Sequence, residues 1–251
     1  MSTYADDPVA DAALAADIAQ NTGKLLLRLR SESTAMDPYV LRDSGDREAH
    51  EYIVGRLAEH FPGDAVLSEE GVDTPERLTA GRTWIVDPLD GTNEFGMLGH
   101  DDWAVHIGLV VDHRAVLGAV AVPALGEVFC SGSVAPVLPA RDDRVRMVIS
   151  RNRRADRVTG IADALGAEVV RMGSAGAKAM AVVRGDVDIY AHSGGMYEWD
   201  SCAPVAVAAA AGLHTSRIDG SPIRYNAEEP WLPDLLICRP ELAEEAIAAA
   251  G

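Results

Sequence analysis

The segment Thr83–Thr92 (TWIVDPLDGT) constrains this chain more than any other, because an apolar run ends abruptly in two carboxylates. The run predicts a buried strand that stops at Asp87, where Pro88 disfavours helical backbone. Asp90 and Gly91 favour a turn, so the chain brings two acids together at the end of a strand. Two ionised carboxylates at short range repel each other, and a divalent cation removes this repulsion. The segment therefore predicts a site for a hard ion such as magnesium.

The residues that follow the turn indicate an anion site. Gly91, Thr92 and Asn93 predict the opening of a helix whose free N–H groups bind a phosphate. One short segment thus supplies ligands for a metal and for a phosphate. An acidic turn alone is most often an ordinary solvated turn, but the preceding strand and the attached Gly-Thr pair favour the functional interpretation here.

The charge balance narrows the possible partners. The chain carries 39 acidic and 22 basic residues, and its formal net charge of -17 repels a nucleic-acid backbone. We therefore expect no long nucleic acid as a partner, whereas a small phosphorylated molecule is compatible if metal ions invert the local charge. Three cysteines without a CxxC pair indicate a reducing compartment. The acidic first segment and the lack of a bilayer-length apolar run predict a cytoplasmic protein with no membrane partner.

The second half of the chain alternates strands and helices, which indicates a layered α/β architecture. The stretch Ser133–Arg144 contains two prolines and a charge cluster, so we divide the chain there into an α+β half, 1–142, and an α/β half, 143–251, with the active site between them. The predicted helices are Val9–Arg30, Asp46–His60, Ala155–Leu165, Ser174–Val183 and Asp200–Ala211, and the predicted strands are Ala65–Ser68, Thr83–Val86, Trp103–Val111, Ala115–Val122, Val128–Ser131, Arg146–Ser150, Glu168–Met172 and Val187–Ala191.

Other acids are weak signals by themselves. The pair Glu69–Glu70 follows a predicted strand, where acids usually form a solvated loop. Asp46 and Asp200 each stand at the predicted start of a helix, where an acid is often a cap. These acids gain meaning only if the fold brings them to Asp87 and Asp90.

Three further residues have simpler interpretations. Trp103 and His106 lie on a predicted strand, and we assign both to the core. Ser174 has no base that the sequence reveals, which disfavours a covalent serine mechanism.

Five separated motifs together carry a family resemblance. They are Asp46, Glu69–Glu70, WIVDPLDGTNEF at Trp84–Phe95, GSAGAKAM at Gly173–Met180 and EWDSCAPVAVAAAAG at Glu198–Gly212. In order and spacing, the chain resembles the inositol monophosphatase superfamily of metal-dependent, lithium-sensitive phosphatases. Within it, the phrases SEE, DDWAVHI, GSAGAKAMAV, EWDS and DGSPIRYN resemble the CysQ-type 3'(2'),5'-bisphosphate nucleotidases, particularly those of actinobacteria. The resemblance implies an αβαβα five-layer sandwich of the kind shared with fructose-1,6-bisphosphatase.

The resemblance also implies the residues of an active site with two or three magnesium ions. The implied metal ligands are the carboxylates of Glu69, Asp87, Asp90 and Asp200 and the backbone carbonyl of Leu89. The implied catalytic set is Asp46, Thr92 and Glu69, of which Asp46 and Thr92 orient the attacking water. The implied substrate contacts are Gly91 and Thr92 for the scissile phosphate, Gly173, Ser174, Ala175 and Lys178 for the nucleoside, and Arg151 and His192 for the remaining phosphate.

Two positions depart from the superfamily pattern. Ser193 stands where inositol monophosphatases carry an acid that contacts the inositol ring, which argues against inositol phosphate as the preferred substrate. Lys178 and His192 instead supply cationic or hydrogen-bonding character that suits a second phosphate. Ala210 replaces a frequent glutamate that is not a metal ligand, so we expect catalysis to be unaffected.

The resemblance implies hydrolysis of the 3'-phosphate of 3'-phosphoadenosine 5'-phosphate to AMP and phosphate, linked to sulfate assimilation. The alternative enzyme is a broader phosphatase of inositol phosphate or fructose 1,6-bisphosphate. The alternative from another class is a metal-dependent sensor that binds a phosphorylated ligand without turnover. Relatives in the superfamily commonly form homodimers, so we expect a homodimer.

Overall fold

The structure is a computed structural model that describes residues 8–32, 37–137, 144–151 and 156–250. Short 3-10 turns at Pro75–Thr79, Pro123–Leu125, Glu198–Asp200 and Pro240–Leu242 connect the regular elements. The helices are α1 (Pro8–Glu32), α2 (Pro38–His60), α3 (Thr92–Phe95), α4 (Asp156–Ala164), α5 (Ala175–Arg184), α6 (Cys202–Ala210) and α7 (Ala243–Ala249). The strands are β1 (Ala65–Ser68), β2 (Thr83–Asp90), β3 (Ala104–Val111), β4 (Arg114–Val122), β5 (Glu127–Cys130), β6 (Arg146–Ser150), β7 (Glu168–Met172), β8 (Ile189–Tyr197), β9 (His214–Ser216) and β10 (Trp231–Cys238).

Two mixed sheets separate three layers of helices. The first sheet has the strand order β1-β2-β3-β4-β5 and the second has the order β7-β6-β8-β10-β9. Helices α1 and α2 cover the outer face of the first sheet, α5 and α6 lie between the sheets, and α4 and α7 cover the second. This arrangement confirms the predicted αβαβα five-layer sandwich.

The middle layer packs closely because small residues line it. A side chain at Gly118 would place its Cβ 2.3 Å from the Ala203 carbonyl, and one at Gly108 would lie 2.7 Å from Cys202 Sγ. These two glycines let α6 lie directly on β3 and β4. Since Asp200 precedes α6 by two residues, this contact fixes that acid against the first sheet.

The predicted start of the second helix is wrong. Helix α2 begins at Pro38, not at Asp46, because the Asp37 carboxylate caps it by accepting the Tyr39 N–H at 2.8 Å. Proline at the first helical position needs no hydrogen-bond partner for its nitrogen, so it also favours this start. Asp46 therefore lies inside the helix and is not its cap.

Two strands extend beyond their predicted ends, and both extensions contain residues of the predicted active site. Strand β2 continues from Val86 to Asp90, because β3 stays paired with it through Asp87↔His106 and Asp90↔Ala104. Strand β8 runs to Tyr197, six residues beyond its predicted end at Ala191. The extensions contain Asp90 and His192, two polar residues that line one cavity.

The last part of the chain completes the second sheet. No element was predicted after Ala211, yet β10 lies between β8 and β9 in antiparallel pairing. The predicted boundary between 142 and 143 falls outside the described residues, and the division into halves stays a prediction. In the part of the chain that is described, no helix combines the length and apolar character that a membrane crossing requires.

Candidate active site

Three carboxylates converge where the two sheets face each other. Asp87 and Asp90 come from the end of β2, and Asp200 comes from the turn that follows β8. One oxygen atom of each acid lies within 4.8 Å of the others. Asp87 and Asp90 are buried, so the repulsion between these acids is only weakly screened by water.

Glu69 approaches the same place from the neighbouring strand. Strand β1 runs parallel to β2, and the Glu69 N–H donates to the Val86 carbonyl at 3.2 Å. Burial, followed by the charges of Asp200 and Asp90, raises the pKa of Glu69 to about 7. The predicted proximity of the Glu69–Glu70 pair to the acidic turn is therefore present, although Glu69 lies outside the compact group of three.

The acids of the cluster hold protons more tightly than isolated carboxyls. Burial and then the charge of Glu69 raise the pKa of Asp87 well above its ordinary value. Burial and then the charge of Asp90 raise the pKa of Asp200 to about 6. These shifts mean that the ionised forms repel one another without a compensating cation.

Asp90 differs because polar groups surround it. Its Oδ2 atom accepts hydrogen bonds from the Ser174 hydroxyl and from the Gly176 N–H, the latter at 2.7 Å. His106 Nε2 lies 3.2 Å from the same oxygen. Burial alone would raise the pKa of Asp90, but the charge of His106, its hydrogen bond and the charge of Lys178 outweigh it and lower the pKa to about 2.

His106 is a functional candidate that the sequence interpretation missed. Its Nδ1 donates to the Trp199 carbonyl at 3.0 Å, which fixes the ring between Asp90 and the turn that carries Asp200. Burial lowers the pKa of His106, but the charge of Asp90 more than compensates and raises it above the ordinary value. A strand pattern predicts burial but not register, and only the β2–β3 register places this histidine opposite Asp87.

Asp46 and Thr92 lie at the side of the carboxylate cluster. The Thr92 hydroxyl donates to the Leu89 carbonyl at 3.0 Å and lies 3.4 Å from Asp46 Oδ1. Burial and then the charge of Glu70 raise the pKa of Asp46 to about 7. The structure thus brings together the carboxylate and hydroxyl that the resemblance assigned to water orientation.

Gly91 makes the turn between β2 and α3 possible. Its φ of 87° lies in the left-handed region, where a side chain is strained. A Cβ at this position would also lie 3.2 Å from the Asp102 carbonyl and 3.2 Å from the Ser174 side chain. The scissile-phosphate contacts predicted for Gly91 and Thr92 therefore lie on a tight turn beside the acids.

A cavity of about 160 Å³ opens next to the cluster. It contains most of the residues predicted to contact substrate, together with side chains from β8 that were not predicted. The lining residues are Asp90, Glu94, Ser150, Gly173, Ser174, Ala175, Lys178, Tyr190, His192, Met196 and Asp200.

Two predicted substrate contacts in this cavity, Lys178 and His192, are held by the protein itself. The Lys178 ammonium donates to the Gly173 carbonyl and, at 2.7 Å, to the Ser174 carbonyl. His192 Nε2 donates to the Gly195 carbonyl at 2.9 Å. Burial lowers the pKa of Lys178 to about 8, although the charge of Asp90 acts against this shift.

Arg151 lies between two carboxylates at the edge of the cavity. It donates to Glu94 Oε1 at 3.0 Å and to Asp102 Oδ2 at 2.5 Å. The Gly173 N–H donates to the same Asp102 oxygen at 2.5 Å. These contacts connect the first sheet to the start of α5, and they engage the guanidinium group that was predicted to contact a phosphate.

A larger cavity among the described residues is not the candidate active site. A larger cleft of about 520 Å³ lies between the start of α1 and the end of α6, and mostly apolar side chains line it. Asp87, Asp90 and Asp200 do not line that cleft. The smaller cavity is the candidate because it contains the convergent carboxylates.

The donor set fits a hard divalent cation. The carboxylates of Asp87, Asp90 and Asp200 offer oxygen atoms within 4.8 Å of one another, and Glu69 lies beside them. Among the described residues, the buried cations that act on these acids are His106 and Lys178, which are too few to neutralise four carboxylates. Oxygen ligands without sulfur favour ions of the magnesium type.

The fold and the cluster define the class of protein as a layered α/β protein with converging carboxylates between its two sheets. The chain belongs to the inositol monophosphatase family, whose sequence profile matches residues 9–250. The family predicted from the five motifs is confirmed. Membership places the carboxylate cluster in a family of metal-dependent proteins.

Individual relatives match over nearly the full length. A Mycobacterium leprae protein named 3'-phosphoadenosine 5'-phosphate phosphatase is 49% identical over 248 residues, covering 93% of this chain and 90% of that protein. The 3'(2'),5'-bisphosphate nucleotidase CysQ of Escherichia coli is 29% identical over 231 residues, covering 86% of this chain and 94% of that protein. The crystal structure of CysQ from Bacteroides thetaiotaomicron has a TM-score of 0.77 at 28% identity and covers 92% of this chain and 97% of that chain.

Proposed function

We propose that this chain is a magnesium-dependent phosphatase that hydrolyses the 3'-phosphate of 3'-phosphoadenosine 5'-phosphate. In this reaction the oxygen of a water bonds to phosphorus, the bond from phosphorus to the ribose 3' oxygen breaks, and AMP leaves with a proton on that oxygen. The observation that carries the proposal is the 49% identity to the similarly named M. leprae protein over 93% of the chain. The substrate predicted from the sequence agrees with the names of the two relatives above.

The metal-binding residues of the proposal are Glu69, Asp87, Asp90, Asp200 and the carbonyl of Leu89. The converging carboxylates support this set, since the pKa values of Asp87 and Asp200 are raised without a cation. When bound, magnesium supplies a water of lowered pKa and neutralises charge on the phosphate. Two or three ions per site is the stoichiometry we propose.

The water-orienting pair of the proposal is Asp46 and Thr92. Thr92 is fixed by its hydrogen bond to Leu89, and its hydroxyl lies 3.4 Å from Asp46. An Asp46 pKa of about 7 suits a group that takes a proton from water near neutral pH. The orientation of the water therefore depends on α2, whereas the metal ligands come mainly from strand ends.

Most of the substrate contacts of the proposal line the cavity beside Asp90. The scissile phosphate contacts the N–H groups of Gly91 and Thr92, and the nucleoside contacts the turn at Gly173–Ala175. Lys178 holds this turn through its two carbonyl contacts, so we assign it a supporting role as well as a charge. His192 and Arg151 stay candidates for the second phosphate.

The cellular setting of the proposal follows from the same resemblance. We propose a cytoplasmic homodimer that recycles a by-product of sulfate assimilation. Size-exclusion chromatography with light scattering tests the dimer, and a stable monomer at micromolar concentration contradicts it.

A phosphate-release assay tests the activity. We expect the highest kcat/KM for 3'-phosphoadenosine 5'-phosphate, compared with inositol 1-phosphate and fructose 1,6-bisphosphate, and loss of activity with EDTA. A preference for either sugar phosphate supports the broader phosphatase instead. Tight binding without phosphate release supports the sensor.

A further inference from the structure

Three aromatic side chains form a cluster at the end of β8, next to the acid Asp200. The rings of Tyr197 and Trp199 are stacked, with centroids 4.6 Å apart and an angle of 8° between their planes. Trp231 from β10 meets Tyr197 nearly at a right angle, at 5.4 Å. We call Tyr197, Trp199 and Trp231 the aromatic platform.

The platform is anchored on the side of the core. Trp199 is partly buried and packs against the hydrophobic cluster between the sheets. The Trp231 ring lies over Gly195, where a Cβ would stand 1.7 Å from a ring atom, so only glycine admits it. Gly195 also has a φ of 90°, and the platform therefore depends on this glycine in two ways.

Two residues that line the cavity flank Tyr197 and Trp199 in the chain. Met196 and Asp200 both line the cavity, and Tyr197 stands between them in the chain. The Tyr197 N–H donates to Asp200 Oδ2 at 2.7 Å, so its backbone is fixed to a carboxylate of the cluster.

Tyr197 and Trp231 expose much of their surface. Each of these residues is 47% exposed, whereas Trp84 and Trp103 are fully buried in the core. A flat aromatic surface at the rim of a phosphate site matches the face of a nucleobase, because bases stack on aromatic side chains.

The charges around the cavity attract a nucleotide only weakly, so an uncharged stacking contact would matter more for binding. Arg151 is bound to two carboxylates, and Lys178 is bound to two backbone carbonyls. The whole chain has a net charge of -17, which does not attract an anionic nucleotide. Stacking is insensitive to this charge and distinguishes a nucleotide from a sugar phosphate.

We propose that Tyr197 and Trp231 bind the nucleobase of the substrate by stacking, with Trp199 as the support beneath Tyr197. This inference rests on the proposed function, and it adds the part of the site that selects a nucleotide over phosphorylated sugars. The hydrogen bond to Asp200 comes from the Tyr197 backbone, so a change of the Tyr197 side chain keeps the donor of that bond.

The test compares two substrates in matched variants. The substrates are 3'-phosphoadenosine 5'-phosphate and ribose 3,5-bisphosphate, which has the same phosphates and no base. In Tyr197→Leu and Trp231→Leu, the ratio of kcat/KM between them falls about tenfold, because an aliphatic side chain cannot stack. In Tyr197→Phe and Trp231→Phe, the ratio stays close to that of the unmodified protein. Tyr39→Leu is the control, since Tyr39 is 74% exposed on α2 and does not line the cavity.

A binding measurement gives an independent readout. AMP quenches tryptophan fluorescence in the unmodified protein, and Trp231→Leu removes most of this change. The inference is overturned if the ratio of kcat/KM between 3'-phosphoadenosine 5'-phosphate and ribose 3,5-bisphosphate is the same in the leucine variants and the unmodified protein. Failure of the proposed function looks different, because the unmodified protein then prefers inositol 1-phosphate or fructose 1,6-bisphosphate to the nucleotide.

Discussion

Two groups of buried carboxylates in this protein have opposite surroundings. Asp188 accepts the Arg239 Nε–H at 2.7 Å and the Arg146 backbone N–H at 2.8 Å. Asp234 accepts two hydrogen bonds from Arg217, at 2.6 and 2.8 Å. In contrast, Asp87 and Asp200 face other acids, and burial with this repulsion raises both pKa values.

This difference in partners indicates which carboxylates matter for folding and which for binding a metal. A buried carboxylate with an arginine partner is compensated within the protein, so its removal leaves an unpaired charge. Asp87 and Asp200 face acids instead, and a cation from outside would compensate their charge. Removing one partner from the first group therefore destabilises the fold, whereas the second group holds repulsion that a bound metal would relieve.

Replacing Asp87 tests the second group most strongly. We expect Asp87→Asn to lower kcat about 1,000-fold, or about 4 kcal/mol, because a metal ligand is lost. The EDTA-treated variant should melt no lower than the EDTA-treated unmodified protein, since one repulsive charge has gone. Phosphate release and thermal melting measure the two effects. Turnover near that of the unmodified protein contradicts the metal-ligand assignment.

Asp188→Asn is the matched change in the first group. It should lower the free energy of unfolding by about 3 kcal/mol, because Arg239 is left buried beside a neutral group. The kcat of the folded fraction should stay within about twofold. Urea unfolding checks the stability, and a stable variant with impaired kcat reverses the comparison.

Asp46 tests whether the group beside the cluster acts on water. We expect Asp46→Asn to lower kcat about 100-fold while the fold is kept, since a positioned base contributes about this much. Magnesium affinity, measured by calorimetry, should change less than in Asp87→Asn. Near-normal turnover of the purified variant removes Asp46 from the mechanism.

Arg151 distinguishes a positioning role from a phosphate contact. Arg151→Met frees Glu94 and Asp102, and it loosens the Gly173 turn that supports the Asp90 contacts. We expect about a tenfold lower kcat with both a bisphosphate and a monophosphate substrate. A rise in KM for the bisphosphate alone shows instead that Arg151 binds the second phosphate.

The smallest effect concerns pH and needs no substitution. Folded-state pKa values of about 7 for Glu69 and about 6 for Asp200 lie above their ordinary values. Between about pH 4 and 7 the folded protein therefore binds more protons than the unfolded chain, and stability falls as pH rises. We expect the Tm in EDTA to drop by a few degrees from about pH 5 to 8, with a smaller drop in magnesium.

Asp200→Asn should flatten this slope in EDTA, because one of the raised groups no longer titrates. Asp90 contributes to the pH dependence with the opposite sign. Its lowered pKa stabilises the folded protein, and this contribution is lost only when the pH falls below about 4. If the Tm in EDTA rises from about pH 5 to 8, the carboxylates of the cluster do not repel one another as proposed.

The sequence predicted most of the layers because their signals are local. Apolar runs such as Thr83–Val86 gave strands, and the alternation in the second half gave the α/β class. The start of α2 was mistaken because Asp46 resembled a cap, while Asp37 and Pro38 carried the true signal. Strand β10 was missed because its position between β8 and β9 is set by distant pairing.

The site was predictable where its motifs are contiguous. The acids of β2 could be proposed from one segment, and the distant acids needed the family resemblance. His106 could not be recognised, because its role depends on the register between β2 and β3. The contacts of Arg151 and Lys178 also depend on tertiary structure, since neither sequence neighbourhood shows their partners.

The turn that carries Asp200 has a consequence for biosynthesis. Its Glu198 carboxylate accepts the N–H groups of Asn226 and Ala227, at 2.6 and 3.0 Å, and β8 pairs with β10. These partners leave the ribosome after Asp87 and Asp90 by well over a hundred residues. The nascent chain therefore cannot hold Asp200 beside Asp87 and Asp90 through these contacts until the segment that contains β10 has been synthesised.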